Sequence, residues 1–375
     1  MVRGASMSKP ALGGTLVLDF STLLPGPLAT LMLAQAGARV VKIERPGSGD
    51  IMRGYVPKIG EDSVNFALLN RGKESVELDL STSEGRRALD PWLARADVLI
   101  EQFRPGVMRR LGLDYAAVRR INPGIVYCSI TGYGQQGPLA GIAGHDLNYM
   151  AASGCLGLVA DGSGAPGLPP VNAADIAGGS YPAVINILLA LMRRRETGEG
   201  SYLDIAMSEN MFTLLYWALG EGFGAGRWPR AGEGLTAGRT PRYAIYATAD
   251  SRYLAAAPLE DKFWNAFCDA IDLEESLRDD ARDPLATRAA VAAIIAGRSA
   301  AEWEERFKDR DVCCSVVARL DEAVANPHFA SRGVFGRRVT QGGHEIPALP
   351  LPLCEALRTD GASAPSPPLG HHAPV

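Results

Sequence analysis

The first 140 residues alternate short apolar runs with helical segments, and few folds accommodate that order. The runs "GTLVLDF" (14–20), "ARVVKIERP" (38–46), "ESVELDL" (74–80), "DVLIEQF" (97–103) and "IVYCSITGYG" (125–134) are rich in Val, Ile and Leu, as strands are. Between them stand "LPGPLATLMLAQAG" (24–37), with proline near its start and Gly37 at its end, and "STSEGRRALDPWLARA" (81–96), headed by Ser/Thr caps. "DYAAVRRINPG" (114–124) reads as a further helix. Apolar strands separated by helices form a parallel sheet covered on both faces. The expectation is an α/β chain whose large domain is a Rossmann-like parallel sheet.

At 375 residues the chain exceeds one ordinary core, so two domains are expected. "DIAGGSYPAVINILLALMRRRE" (175–196) and "SYLDIAMSENMFTLLYWAL" (201–219) continue the first domain as helix, then strand and helix. The Gly-, Arg- and Pro-rich stretch 219–242 reads as a linker or mobile loop. "RYAIYATADSRYLAAAP" predicts a hairpin turning at Ala249-Asp250-Ser251, with helices over 260–325 and an extended, proline-rich last 40 residues. The predicted division is 1–215 with 330–375 as the large domain, and 216–329 as a smaller α+β domain with its linker.

Composition narrows the classes. A chain 47% hydrophobic and 21% charged, with a net charge of −4, is globular and carries no basic footprint for nucleic acid or anionic membrane. Six cysteines without CxxC spacing indicate reduced thiols, and Cys313 and Cys314 in "DVCCSVV" are expected to be buried. The start, "MVRGASMSKP", lacks a signal-peptide core, Met7 is an alternative first residue, and the longest apolar run, 183–192, is short for a membrane span. A soluble, cytoplasmic protein is expected.

Several chemistries lack their residues. There is no GxGxxG after the first strand, no phosphate loop, no GxSxG, and no HExxH or zinc-like Cys/His spacing, so no metal site is expected. What remains is polar residues at strand ends, where open α/β sheets place ligands. Arg45, Arg104 and the "NRGK" segment (Asn70, Arg71, Lys73) read singly as solvated groups and together as a cradle for a large anionic cofactor's phosphates. His145, in "GHDLNYM", follows the fifth strand; alone it reads as a core histidine. Asp175, in "NAADIAGGS", heads a long helix, where a cap is its plain role, and Glu260, in "APLEDKFW", opens another as a first-turn acid.

In this order, "LDFSTLLPGPLATLMLAQAGARVVKIERPGSGD", "LNRGKESVELDL", "LIEQFRPGVMRRLGLDY", "SITGYGQQGPLAGIAGHDLNYMAASG" and "ADIAGGS" resemble the class III coenzyme A-transferase superfamily (CaiB/BaiF type), which includes the α-methylacyl-CoA racemases. The resemblance implies an acyl-CoA substrate, no cofactor beyond its coenzyme A, and an interlocked homodimer with the active site between subunits. It also implies that Arg45, Asn70, Arg71, Lys73 and Arg104 hold CoA. In the racemases the counterparts of His145 and Asp175 are the two acid/base residues and that of Glu260 supports the histidine. In the transferases the same aspartate is a nucleophile, passing through an anhydride and an aspartyl-CoA thioester, and the histidine is usually absent. Keeping both residues points first to a racemase inverting C2 of a 2-methylacyl-CoA, with CoA transfer between carboxylic acids as the alternative. Inversion needs a base on each face of C2, and an enolate needs donors such as the N–H groups near Gly178 and Gly179. Leu24 stands where formyl-CoA transferases have glutamine, and Arg242, in "TPRY", departs from the racemase pattern and could meet an acidic acyl group.

Overall fold

A computed structural model of the chain describes residues 10–160, 165–359 and 361–372; the alternative starts Met1 and Met7 lie outside the described residues. Six strands form the main sheet: β1 (Leu16–Asp19), β2 (Arg39–Glu44), β3 (Glu74–Glu77), β4 (Val98–Glu101), β5 (Val126–Thr131) and β6 (Ser201–Ala206). Every pairing is parallel, and the spatial order is β3-β2-β1-β4-β5-β6. This is the Rossmann order: the chain winds outward from β1 one way, then from β4 the other. The change of direction opens a crevice at the carboxyl ends of β1 and β4.

Both faces are covered. On one, Leu18, Val41, Val76 and Leu99 pack with Leu89, Trp92 and Leu93 of the helix Ser83–Arg95. On the other lies the helix Pro25–Gln35, started by a proline and buried along its whole length. Helix Tyr181–Thr197 continues from a π-helical turn, Ala174–Ser180. Together they make a 24-residue apolar helix, long enough by length and composition to cross a membrane, where the run 183–192 alone is too short. Its Ala183, Ile187, Ala190 and Leu191 are buried.

The chain divides into two units, described separately. One comprises the chain up to Ser153, Val171–Leu214 and Pro327 onward; the other comprises Gly154–Pro170 and Leu215–Asn326. The expected boundaries need correction at Gly154–Pro170, which the sequence reading leaves in the large domain. Part of the expected linker is also helix, Tyr216–Ala225. The second unit pairs Ala244–Ala247 with Tyr253–Ala256 as the predicted hairpin, adds Cys314–Val316 as a third strand, and packs helices with Trp264, Phe267 and Trp303 in its core. Cys313 is exposed rather than buried, at φ +45°, just before that edge strand. The C-terminal segment is not merely extended: Arg338–Gln341, His344–Pro347 and Ser363–Pro365 form a small sheet, and the tail then returns to β3, where the N–H of His372 donates to the Ser75 carbonyl at 3.0 Å.

Candidate active site

A cavity of about 420 Å³ opens where the sheet changes direction, walled by the segments after β1, β4 and β5 and by His145, Tyr149 and Asp175. The two sequence candidates His145 and Asp175 thus meet at one cavity in one unit.

The backbone fixes His145. It precedes the helix Asp146–Ala152 in extended conformation, and its N–H donates to Asn148 Oδ1 at 3.0 Å. The Tyr149 hydroxyl donates to the carbonyl of Gly144, the residue before it. A side chain at Gly132 or Gly144 would meet the Tyr149 ring, at 2.2 and 2.7 Å from the added Cβ, so the loop closes this tightly only with glycine there. The imidazole stays exposed at the cavity, which excludes the core-histidine reading.

Asp175 lies in the π-helical turn, a rare geometry common at functional sites. Its backbone N–H donates to Asp146 Oδ1 at 2.9 Å, joining it to the residue beside His145. Its own carboxylate takes no hydrogen bond from the described residues and caps no helix. Burial, and then the Asp146 charge, push its pKa up to about 7. A carboxyl balanced there can give or take a proton at neutral pH. Asp146, absent from the sequence candidates, is buried here and links the His145 segment to Asp175; its signal in the sequence was adjacency to His145.

Gly178 and Gly179, beside the expected enolate donors, are also needed for packing: a Cβ on Gly178 would sit 2.5 Å from the Met207 carbonyl oxygen, and one on Gly179 would sit 3.1 Å from Met207 and Pro25. The Asn210 amide donates to the Gly178 carbonyl at 2.8 Å, and Ser180 Oγ donates to the Pro25 carbonyl at 2.7 Å, tying the turn to the loop after β1.

The five residues expected to hold CoA separate. Arg104 is exposed and borders the cavity, and Arg45 is exposed at a neighbouring cavity of about 440 Å³ beside Phe20 and Leu80. Asn70 and Lys73 are instead buried. Lys73 Nζ donates to Asp19 Oδ2 at 3.2 Å, the Pro27 carbonyl at 2.9 Å, Thr30 Oγ1 at 2.7 Å and Asn70 Oδ1 at 2.8 Å. Burial lowers the Lys73 pKa to about 8 despite Asp19, whereas Lys42 and Lys73 outweigh the burial of Asp19 and hold its carboxyl well below the ordinary range. Arg71 is buried too, donating to the Leu68 and Leu349 carbonyls, and burial with Arg358 and Arg337 nearby lowers its pKa to about 10. In this structure these three side chains support the loop after β1 and the C-terminal segment, and their donors face inward.

Glu260 belongs to the second unit, exposed, at the head of helix Asp261–Ile271 with its carboxylate making no cap. Arg242 is not open to an acidic acyl group. Its guanidinium binds Asp280 through Nε and Nη2 and gives Nη1 to Asp261 and the Leu259 carbonyl. Among the described residues no three His, Cys, Asp or Glu side chains gather as metal ligands would.

The chain is similar to known proteins along most of its length. The family model for CoA-transferase family III matches residues 12–373. An acetyl-CoA:oxalate CoA-transferase from Acetobacter aceti is 32% identical, the match spanning 91% of this chain and 88% of the relative. Human alpha-methylacyl-CoA racemase is also 32% identical, over 92% of this chain and 86% of its own. The crystal structure of a CAIB/BAIF family protein from Brucella suis superposes with a TM-score of 0.82 at 29% identity, covering 97% of this chain and 98% of that one.

Proposed function

The chain is a member of CoA-transferase family III and an enzyme of that family, and from that premise we propose that it racemises an acyl-CoA at C2. The observation that carries the reading is Asp175: a carboxyl raised to about 7, with no donor on it among the described residues, walling the same cavity as His145. A carbon next to a thioester is weakly acidic. One group removes its proton, and the conjugate acid of the other returns a proton on the opposite face. Each group must be able to start in either protonation state, which suits a carboxyl near 7 and an imidazole. A nucleophilic aspartate must instead be ionised to attack, and burial beside Asp146 works against that. The acyl end meets apolar surface at Leu23, Ile142 and Met207, and Arg242 is already occupied, which favours a 2-methyl-branched acyl group over an acidic one.

Arg45 and Arg104, at two neighbouring cavities, are the cations we assign to the CoA phosphates. A homodimer belongs to the same reading. The helix Tyr181–Thr197 leaves Ile185, Leu189 and Met192 exposed along one side, a surface a second copy would bury.

The second reading, CoA transfer through Asp175, has the support of relatives named CoA-transferases at 31–32% identity. Incubation with a 2-methylacyl-CoA in heavy water, without an acceptor acid, separates the two. Deuterium entering C2 supports racemisation. Absence of exchange, with CoA transfer that depends on an added acid, overturns it.

A further inference from the structure

Gln102 stands one residue past β4 and lines the same cavity as His145 and Asp175. The N–H of Phe103 donates to Glu101 Oε2 at 2.8 Å, a bond that spans Gln102 and fixes the chain on both sides of it. Its own Oε1 accepts from the Gly26 N–H at 3.0 Å. Gly26 lies in the first turn of the helix Pro25–Gln35, where N–H groups lack intrahelical partners and Leu24 supplies no side-chain cap. A Cβ on Gly26 would sit 2.9 Å from Gln102 Oε1 and 2.1 Å from Ser21 Cβ, so this approach needs glycine. Capping that helix is the plain role of Gln102, and it uses only half of the amide. Two donors cannot face each other, so the bond to Gly26 decides which way the amide is turned. Nε2 is left as the other end of a half-buried side chain at the cavity, with no acceptor among the described residues.

The same peptide unit leads to Asp175. Pro25–Gly26 accepts from Ser180 Oγ through its carbonyl at 2.7 Å and donates to Gln102 through its N–H, and Ser180 Oγ lies 3.2 Å from the Asp175 carbonyl oxygen. Hydroxyl, peptide and side-chain amide therefore bond in series and in one sense, and each polarises the next toward a stronger donor at Nε2–H. Other donors on the wall are less suited. The Tyr149 hydroxyl is spent on the Gly144 carbonyl, and Asn148 is exposed with its amide oxygen on the His145 N–H.

We propose that Gln102 is a catalytic residue whose Nε2–H donates to the thioester oxygen of the bound acyl-CoA. The inference rests on the reading above, in which C2 of an acyl-CoA is deprotonated in this cavity. When a base takes the C2 proton, the C–H electron pair becomes the C2–C1 π bond and the C1=O pair moves onto oxygen. The amide keeps its hydrogen and holds that oxyanion, and reprotonation of C2 returns both pairs. A donor already fixed in place needs no reorganisation as the charge develops.

The test uses the full-length protein at about pH 8, where a glutamate side chain is ionised. Two readouts are taken: deuterium exchange at C2 of a 2-methylacyl-CoA in heavy water, and the infrared carbonyl band of the bound thioester labelled with carbon-13 at C1. Gln102→Glu keeps an oxygen for the Gly26 N–H and loses the donor, whereas Gln102→Met loses both, so the result does not depend on Gln102→Met folding. Each variant is expected to lower kcat about 100-fold with KM changed less than about 3-fold. The carbonyl band of the parent complex should lie at lower frequency than that of either variant, because an accepted hydrogen bond weakens the C=O bond. Near-parental kcat in Gln102→Glu, with the loss confined to Gln102→Met, reduces Gln102 to a helix cap and overturns the proposal. A carbonyl band at the same frequency in the parent and in Gln102→Glu also overturns it. The band is read on bound acyl-CoA, so it still decides the role of Gln102 if the parent exchanges no C2 proton, the result that overturns the racemase reading instead.

Discussion

An Asp175→Asn substitution tests the electrostatics of the site without relying on any substrate. Folding moves the Asp175 carboxyl from an ordinary 3.8 to about 7, because burial and Asp146 both disfavour its charge. Below about pH 4 the group is protonated in folded and unfolded chains alike, and its burial carries no charge penalty. As pH rises toward 7 the unfolded chain ionises first, so stability is lost across that window; above 7 the native state is ionised as well and the loss stays constant. About three pH units at 1.36 kcal/mol each set a ceiling of roughly 4 kcal/mol, and partial solvent access brings the expected value to about 2–4 kcal/mol. Asparagine fills the same space and cannot ionise. The variant should therefore match the parent near pH 4 and exceed it by about 2–4 kcal/mol at pH 8, a rise in thermal midpoint on the order of 5 °C. Denaturation series at pH 4, 6 and 8 measure the difference directly. A variant no more stable than the parent at pH 8, or an advantage independent of pH, would refute a buried, charge-disfavoured carboxyl. The same variant should lose turnover, the trade expected where a site is held in an unfavourable state for its chemistry.

Four further outcomes follow from the structure. Gly178→Ala places a methyl group 2.5 Å from the Met207 carbonyl oxygen, and should cost about 1–3 kcal/mol in denaturant unfolding together with most of the activity. Lys73→Met removes the cation that bonds Asp19, Asn70 and Thr30, and should destabilise the protein by about 3–5 kcal/mol; Arg45→Ala, on an exposed side chain, should leave stability unchanged and raise KM for acyl-CoA. Asp146→Asn keeps an acceptor for the Asp175 N–H but removes a charge, so the ionisation of Asp175 should move to lower pH in the rate profile.

The parallel sheet was legible because its signals are local: apolar strands, a proline at a helix start, capping residues at intervals too short for another architecture. The hairpin was legible for the same reason, whereas its third strand, Cys314–Val316, lies where the sequence reading expects helices. The site was legible less evenly. His145 and Asp175 could be singled out as candidates, yet the features that make them chemically useful are tertiary: the Asp146 carboxylate on the Asp175 N–H, the absence of a donor on its side chain, and the π-helical turn that carries it. Lys73 shows the opposite failure. A cation after a Gly-containing turn looks open to phosphate, and only packing shows that Asp19, Thr30 and Asn70 have taken its donors. Gly178 and Gly179 were legible as slender residues beside backbone donors, but the close approach of Met207 that also requires them is tertiary. The placement of Gly154–Pro170 with the second unit depends on long-range contacts that no local pattern encodes.

The central claim is that Asp175 and His145 exchange acid and base roles on opposite faces of C2. Deuterium exchange at C2 in heavy water, measured separately for the two C2 epimers of one 2-methylacyl-CoA in His145→Ala and Asp175→Asn variants, tests it most directly. Each variant keeps one base, so each should exchange the C2 proton of one epimer without inverting it, and the two variants should act on opposite epimers. Loss of exchange for both epimers in Asp175→Asn, with both still exchanging in His145→Ala, would contradict the account.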